Sequence, residues 1–375
     1  MIAARRLQVF AVEPEAIQLS WAALGPGEIT ARALDESGEV AAAVAIEADG
    51  GPGVADLVGL RPDTAYTVEV AGHCLAARTV APPPGRELYR FMTLSDMHLG
   101  LDHFGLFRKM REREPVEEIH TLRCTRAALD EGLAWGAQHL VLKGDLVDRG
   151  TPDEYDLLGK VLAEAGLPVE AIPGNHEVKP YREVDHPEAF AGLGLTVAPE
   201  RLHTIDLPGL RLALVDSTTF DVNAPRLDHA VDAMADALDG RPALVVLHHH
   251  LLRLPFSVLW PPGVPGPLAR RFLDAVADAS PAALVASGHT HRHVTRKHRH
   301  VVVTETGSPK DHPGTWTGYV VYEGGLRQVV RRVGRPDAIR WTEHSRRAAG
   351  GAWGHWSPGR LDHRCLTLEW PRSRA

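Results

Sequence analysis

The chain has 375 residues, 44% hydrophobic and 24% charged, with a formal net charge of -7. That length supports about two domains and a large core, and the acidic balance argues against non-specific nucleic-acid binding, which needs a basic footprint. Three widely spaced cysteines, Cys74, Cys124 and Cys365, offer neither a disulfide framework nor a thiolate zinc site. The start MIAARRLQVFAVEPEAIQ has no apolar stretch of signal-peptide length, and no run of about 18 apolar residues occurs. The expectation is a cytoplasmic protein that does not span a membrane.

Residues 1–86 alternate apolar and polar positions in short runs such as AIQLSW, EITARAL, VAAAVAIEA and AYTVEVAG, broken by Gly and Pro. Short strands with regular turn signals predict a small all-β sandwich. The run LVGLRPDTAYTVEVAG, with Trp21 after IQLS, resembles the fibronectin type III pattern, which implies a core role for Trp21 and a buried, backbone-bonded corner tyrosine at Tyr66. This part carries no catalytic spacing and reads as a packing or docking module, with a surface for a partner or for a second copy of the chain. The proline-rich APPPGRE, residues 81–87, marks its end.

From residue 87 to about 330, apolar runs alternate with amphipathic stretches. The first run, FMTL, ends in Asp96 and His98. The following LDHFGLFRKMREREPVEEIH reads as a loop or lid with some helix, its basic residues either reaching an anionic substrate or forming a solvated face. Leu122, Leu129, Leu133 and Ala137 keep helical spacing, and QHLVLK then reads as a strand ending in GDLVDRG with Asp145. Thr151, Pro152 and Glu154 form a helix-start signature for a helix running to about Gly166. The strand LPVEAIP ends in Asn175 and His176. A helical piece near 186–191 and the strands RLHTIDL and LRLALVDST follow. A helix through Leu227, Val231, Met234 and Leu238 leads into PALVVL, which delivers His248, His249 and His250, and a proline-rich loop follows. A helix around 270–278 leads into AALVAS, followed by His289, His291 and His293; HVVVTETGS and the hairpin GYVVYEGGLRQVVRRV complete the unit.

Asp, Asn and His at five predicted strand ends converge on one edge of a sheet. This oxygen and nitrogen donor set suits divalent Zn, Mn or Fe, and it is too large for one ion. Sharing Asp145, it could hold two, about 3.5 to 4 Å apart with a bridging hydroxide, as used for in-line attack on phosphorus. Gly144, Gly174 and Gly288 relieve crowding beside the ligands.

In this order D-x-H, GD-x-x-D, GNH, a post-strand histidine cluster and GH-x-H resemble the calcineurin-like metallophosphoesterases. The resemblance implies an α/β fold, a four-layer αββα sandwich preceded here by the small β-sandwich, and two divalent metal ions. It gives Asp96, His98 and His291 to the first ion and Asn175, His289 and His248 to the second, with Asp145 bridging; His249 replaces His248 if the register shifts by one. His176 would hydrogen-bond the phosphoryl group and protonate the leaving oxygen, and Arg149 is a candidate phosphate binder by likeness of GDLVDRG to the protein Ser/Thr phosphatases. Purple acid phosphatases also carry an N-terminal sandwich, but they keep a tyrosine where this chain has Asp148, so neither purple colour nor an obligate ferric ion is expected. SDMHLG also resembles the family's DNA repair nucleases, a reading the acidic balance lowers. His293, His298 and His300 read as supporting or surface residues. The activity implied is hydrolysis of a small phosphodiester, with a phosphomonoesterase or an inert scaffold as the alternatives. Residues 331–375, with Trp353, Trp356 and Trp370, read as a tail docked on the body, LDHRC or Trp356 folding over the active site or else packing between the domains.

Overall fold

Runs such as LVLK, ALVVL and ALVAS have no polar face to give to water, so they suit parallel strands covered on both sides. In the computed structural model, which describes residues 4–105, 110–112, 116–222, 224–254 and 261–371, each is a fully buried strand. The central part of the predicted lid (106–109 and 113–115) and positions 255–260 of the proline-rich loop lie outside the described residues.

Two six-stranded sheets stack face to face. The first runs Val169–Ile172, Leu140–Lys143, Glu87–Leu94, Thr315–Tyr322, Gly325–Arg332, Cys365–Glu369. Its first three strands are parallel, and the last three join as antiparallel neighbours. The second runs Leu202–Leu207, Leu210–Val215, Ala243–Leu247, Ala283–Ser287, Val301–Glu305, Val294–His298, parallel through its middle and closed by an antiparallel strand at each edge. Phe91, Val141, Leu212, Val246, Leu284 and Tyr319 fill the layer between the sheets. Helices His120–Ala134 and Pro152–Ala165 cover the outer face of the first sheet, and Asp228–Leu238 and Gly266–Ala279 that of the second. These are the four layers αββα expected.

The helix starting at Pro152 has both halves of its capping box, Thr151 accepting from the Glu154 N–H while the Glu154 carboxylate accepts from that of Thr151, and it ends at Gly166 with φ +59°. The edge strand Val294–His298 departs from expectation. Its polar VTRKH has no burial signal, because ladder bonds to Val301–Glu305 make the strand rather than packing. His293 is buried and accepts from the Gly307 N–H, while His298 and His300 bond to Asp274 and to the Ser280 carbonyl.

Ahead of these sheets, Gln8–Val12, Ala16–Trp21 and Gly53–Val58 form a three-stranded sheet, and Val40–Ala48, Gly27–Leu34, Ala65–Val70 and His73–Arg78 a four-stranded one. They share a core containing Trp21 and Tyr66, and the Tyr66 hydroxyl accepts from the Arg61 N–H at 2.9 Å. Gln18 exchanges two hydrogen bonds with the Arg332 backbone, and the Arg332 guanidinium reaches Ser20, joining this part to the first large sheet.

Phe91 has no exposed surface and stacks on Tyr319 with ring centroids 5.0 Å apart. Phe91→Ala should cost about 3 to 5 kcal/mol of unfolding free energy, measured by urea denaturation, because the cavity opens where neither sheet can close it.

Candidate metal centre

Asp96, His98, Asp145, Asn175, His176, His248, His289 and His291 meet in one buried cluster at the carboxyl ends of the parallel strands, whereas Arg149, His249 and His293 turn elsewhere. Asp96 and His98 follow Glu87–Leu94, Asp145 follows Leu140–Lys143, Asn175 and His176 follow Val169–Ile172, His248 follows Ala243–Leu247, and His289 and His291 follow Ala283–Ser287. Five of these residues bend the chain through left-handed backbone: Asp96 (φ 57°), His98 (45°), Asp145 (51°), His289 (68°) and His291 (51°). Each costs on the order of 1 to 3 kcal/mol without glycine, so the surrounding bonds must hold them. Asp96 N donates to the Gly144 carbonyl and His98 N to that of Asp145, while Asp96 accepts from the His289 N–H at 3.0 Å.

Among the described residues, the candidate ligand atoms fall into three overlapping groups: Asp96, His98 and His291; His98, Asp145 and His176; and Asp145, His248 and His289. Asp145 Oδ2 lies 3.4 Å from His248 Nε2, 3.6 Å from His98 Nε2 and 3.9 Å from His176 Nε2. His248 Nε2 also stands 3.2 Å from both Asn175 Oδ1 and His289 Nδ1. His248 turns its Nδ1 to the Lys143 carbonyl at 2.8 Å, which leaves Nε2 for the cluster. His249 directs Nδ1 to Ser217 and belongs to none of the groups.

This donor set fits divalent cations. Nε2 of His98 and Nε2 of His289 are buried with no hydrogen-bond partner, a state that protein interiors avoid unless something else binds there. Burial pushes His98 down to about 3, with His176 and Lys310 adding to it, so its imidazole is neutral and ready to coordinate. Burial also raises the cost of charge on Asp96 and Asp145, but the neighbouring histidines, His291 and His248 foremost, hold both well below the ordinary carboxylate range. His248 and His291 show the reverse balance. Burial disfavours their charge, and the carboxylates Asp145 and Asp96 beside the one, and Asp311 and Asp96 beside the other, push both up to about 9.

Sequence reasoning missed four supporting groups. Glu177, directly after His176, is fully buried and accepts from the N–H groups of Asp145, Leu146, Val147 and Gly174, so it shapes the turn that carries Asp145. Burial and the Asp145 charge push it up to about 7. Asp148 faces His176 Nδ1 at 3.1 Å and His98 Nδ1 at 3.4 Å. Lys179 Nζ meets His176 Nε2. Asp311 accepts from His291 Nδ1 at 2.6 Å. Glu177 is legible beside GNH, whereas Asp311 sits in a loop with no local signal. Arg149 is exposed; its N–H donates to Glu154, and its guanidinium pairs with no described residue.

A two-sheet α/β sandwich with a buried carboxylate and imidazole cluster at its strand ends defines a metal-binding hydrolase scaffold. The calcineurin-like phosphoesterase family profile matches residues 89–293, more than half of the chain, and the chain belongs to that family. A protein of Psychrobacter arcticus named "Probable cyclic nucleotide phosphodiesterase" is 31% identical over 177 residues, which cover 45% of this chain and 62% of that protein. A similarly named Synechococcus protein is 31% identical over 163 residues, 41% of this chain and 57% of its own length. The chain thus spans about three fifths of the curated relatives it matches. A dimetal phosphatase from Danio rerio aligns at 12% identity and a TM-score of 0.48, over 66% of this chain and 97% of that one. No helix among the described residues is long and apolar enough to cross a membrane.

Two outcomes test the centre. A Cβ on Gly174 would lie 2.3 Å from both the backbone N and Oδ1 of Asp145, so Gly174→Ala should displace that carboxylate and abolish stoichiometric metal uptake, measured by elemental analysis. In chelator-treated protein, His248 and His291 hold protons that the unfolded chain keeps only to about pH 6.5. Their stabilisation is complete below that pH and is lost as pH rises through about 9. The melting temperature should therefore fall across that window, and saturating metal, which takes the imidazoles deprotonated, should remove the fall.

Proposed function

We propose that the chain hydrolyses a small phosphodiester, of the cyclic-nucleotide or glycerophosphodiester type, at a dinuclear metal centre. The observation that carries this is Asp145, whose Oδ2 lies 3.6 Å from His98 Nε2 of one ligand set and 3.4 Å from His248 Nε2 of the other. Asp96, His98 and His291 would hold one divalent ion and Asn175, His248 and His289 the other, with Asp145 between them. When bound, the ions supply Lewis-acid polarisation of the phosphoryl oxygens and acidify water to near neutral pH. The chain's own residues do the rest. His176, held through Nδ1 on the Asp148 carbonyl and accepting from Lys179 Nζ through Nε2, stands 3.9 Å from Asp145 Oδ2, where it would hydrogen-bond the phosphoryl group and relay a proton to the leaving oxygen. Asn175 directs its amide oxygen into the cluster. Arg149, exposed and with its guanidinium paired to no described residue, can meet the anionic ester from solvent. The names of the sequence relatives and the presence of Asp148 in place of a tyrosine favour the diester.

A phosphomonoester is the second reading, favoured by Arg149. Side-by-side assays with bis(p-nitrophenyl) phosphate and p-nitrophenyl phosphate decide between them: the diester should turn over faster with Mn, Zn or Fe and stop with chelator. Faster monoester turnover would overturn the diester assignment, and activity on neither would favour an inert scaffold. Asp145→Ala should lower turnover of either ester by more than about 100-fold, the upper end of what loss of a merely supporting residue costs.

A further inference from the structure

The segment after the hairpin returns to the cluster. Helix Pro336–Ser345 packs against His120–Ala134, and Ala349, Gly350 and Gly351 then turn the chain through three left-handed residues (φ 49°, 68° and 94°). The turn leads into Trp353–Trp356, and the Ser357 carbonyl accepts from the His293 N–H at 3.0 Å. Here Trp353 stands half-buried, its ring 5.3 Å from that of Phe104 and 6.1 Å from that of His291.

Asp311 links Trp353 to the cluster. It has no exposed surface and takes three donors: Trp353 Nε1 on Oδ1 at 3.2 Å, and His291 Nδ1 at 2.6 Å and Lys310 Nζ at 3.0 Å on Oδ2. An indole N–H can only donate, so it fixes which carboxylate oxygen faces His291. With Nδ1 committed to Asp311, the free nitrogen of His291 is Nε2, which stands 3.3 Å from Asp96 Oδ1.

We propose that Trp353 and Asp311 are positioning residues for His291, so that the C-terminal segment completes the metal site. Both lie beyond the residues matched by the family profile, and the proposal rests on the dinuclear reading above. A carboxylate behind a coordinating imidazole sets its tautomer and ring orientation, and losing such a partner costs about 10- to 100-fold in metal affinity. The indole holds that carboxylate in turn.

The test is calorimetric titration of metal-stripped full-length protein with Mn2+, on wild type, Trp353→Phe, Asp311→Asn and His355→Ala. Trp353→Phe keeps an aromatic ring against Phe104 and removes only the N–H. His355 is exposed in the same turn and serves as the control. Wild type and His355→Ala should show two binding steps. One step should weaken several-fold in Trp353→Phe and about 10- to 100-fold in Asp311→Asn, the other step staying put in both, with circular dichroism unchanged. Both steps unchanged in Trp353→Phe, or both weakened equally, overturns the proposal while leaving the dinuclear centre intact. Fewer than two ions in wild type overturns the dinuclear reading, and the proposal falls with it.

Discussion

Two buried aspartates among seven buried or half-buried donors can share a site only if the backbone beneath them turns more sharply than L-residues prefer. Asp96, His98, Asp145, His289 and His291 all adopt left-handed φ, and the Glu177 carboxylate gathers four N–H groups around the central one. Without that acceptor, the amides of the Asp145 turn would be buried unpaired, at about 1 to 3 kcal/mol each. The strain is tolerable because it rests on strands packed between sheets. The interior layer of Phe91, Val141, Val246, Leu284 and Tyr319 lies between the strands whose ends carry the cluster.

The electrostatics follow from the same confinement. Burial alone would neutralise every group in the cluster, yet each carboxylate is close enough to an imidazole for both to keep charge. The result is a pocket in which the two fixed carboxylate charges are balanced by protons on His248 and His291. A divalent cation can replace those protons without rearranging the donors, because Nδ1 of His248 is already committed to the Lys143 carbonyl and Nδ1 of His291 to Asp311. The hydrogen bonds outside the cluster therefore decide which nitrogen faces inward.

The remaining parts of the chain meet on the first large sheet. Gln18 and Ser20 of the N-terminal sandwich clasp Arg332, and Arg364, stacked over Phe10, donates to the carbonyls of Phe10, Pro358 and Gly359 just before Cys365–Glu369 adds the outer strand. The C-terminal segment is thus part of the sheet that presents Asp96 and Asp145, and the sandwich is bonded to that same sheet.

The sequence by itself determined the alternation of strand and helix, because apolar periodicity and the Thr151–Glu154 signature are local. It also placed the aspartates, asparagine and histidines at strand ends, since each motif directly follows its apolar run. The tertiary structure alone decided between His248 and His249 as the side chain in the cluster, because adjacent residues point to different neighbours and only the packed sheets say which neighbours those are. It alone supplied Asp311 and its bond to Trp353, residues that lie 20 and 62 positions beyond His291, the one in a loop and the other opening a four-residue helix, neither with a periodic pattern. It also turned the polar VTRKH into an edge strand. The physical reason is the same in each case: a hydrogen bond across the fold depends on where two distant segments meet, and patterning encodes only which face of its own segment a residue occupies.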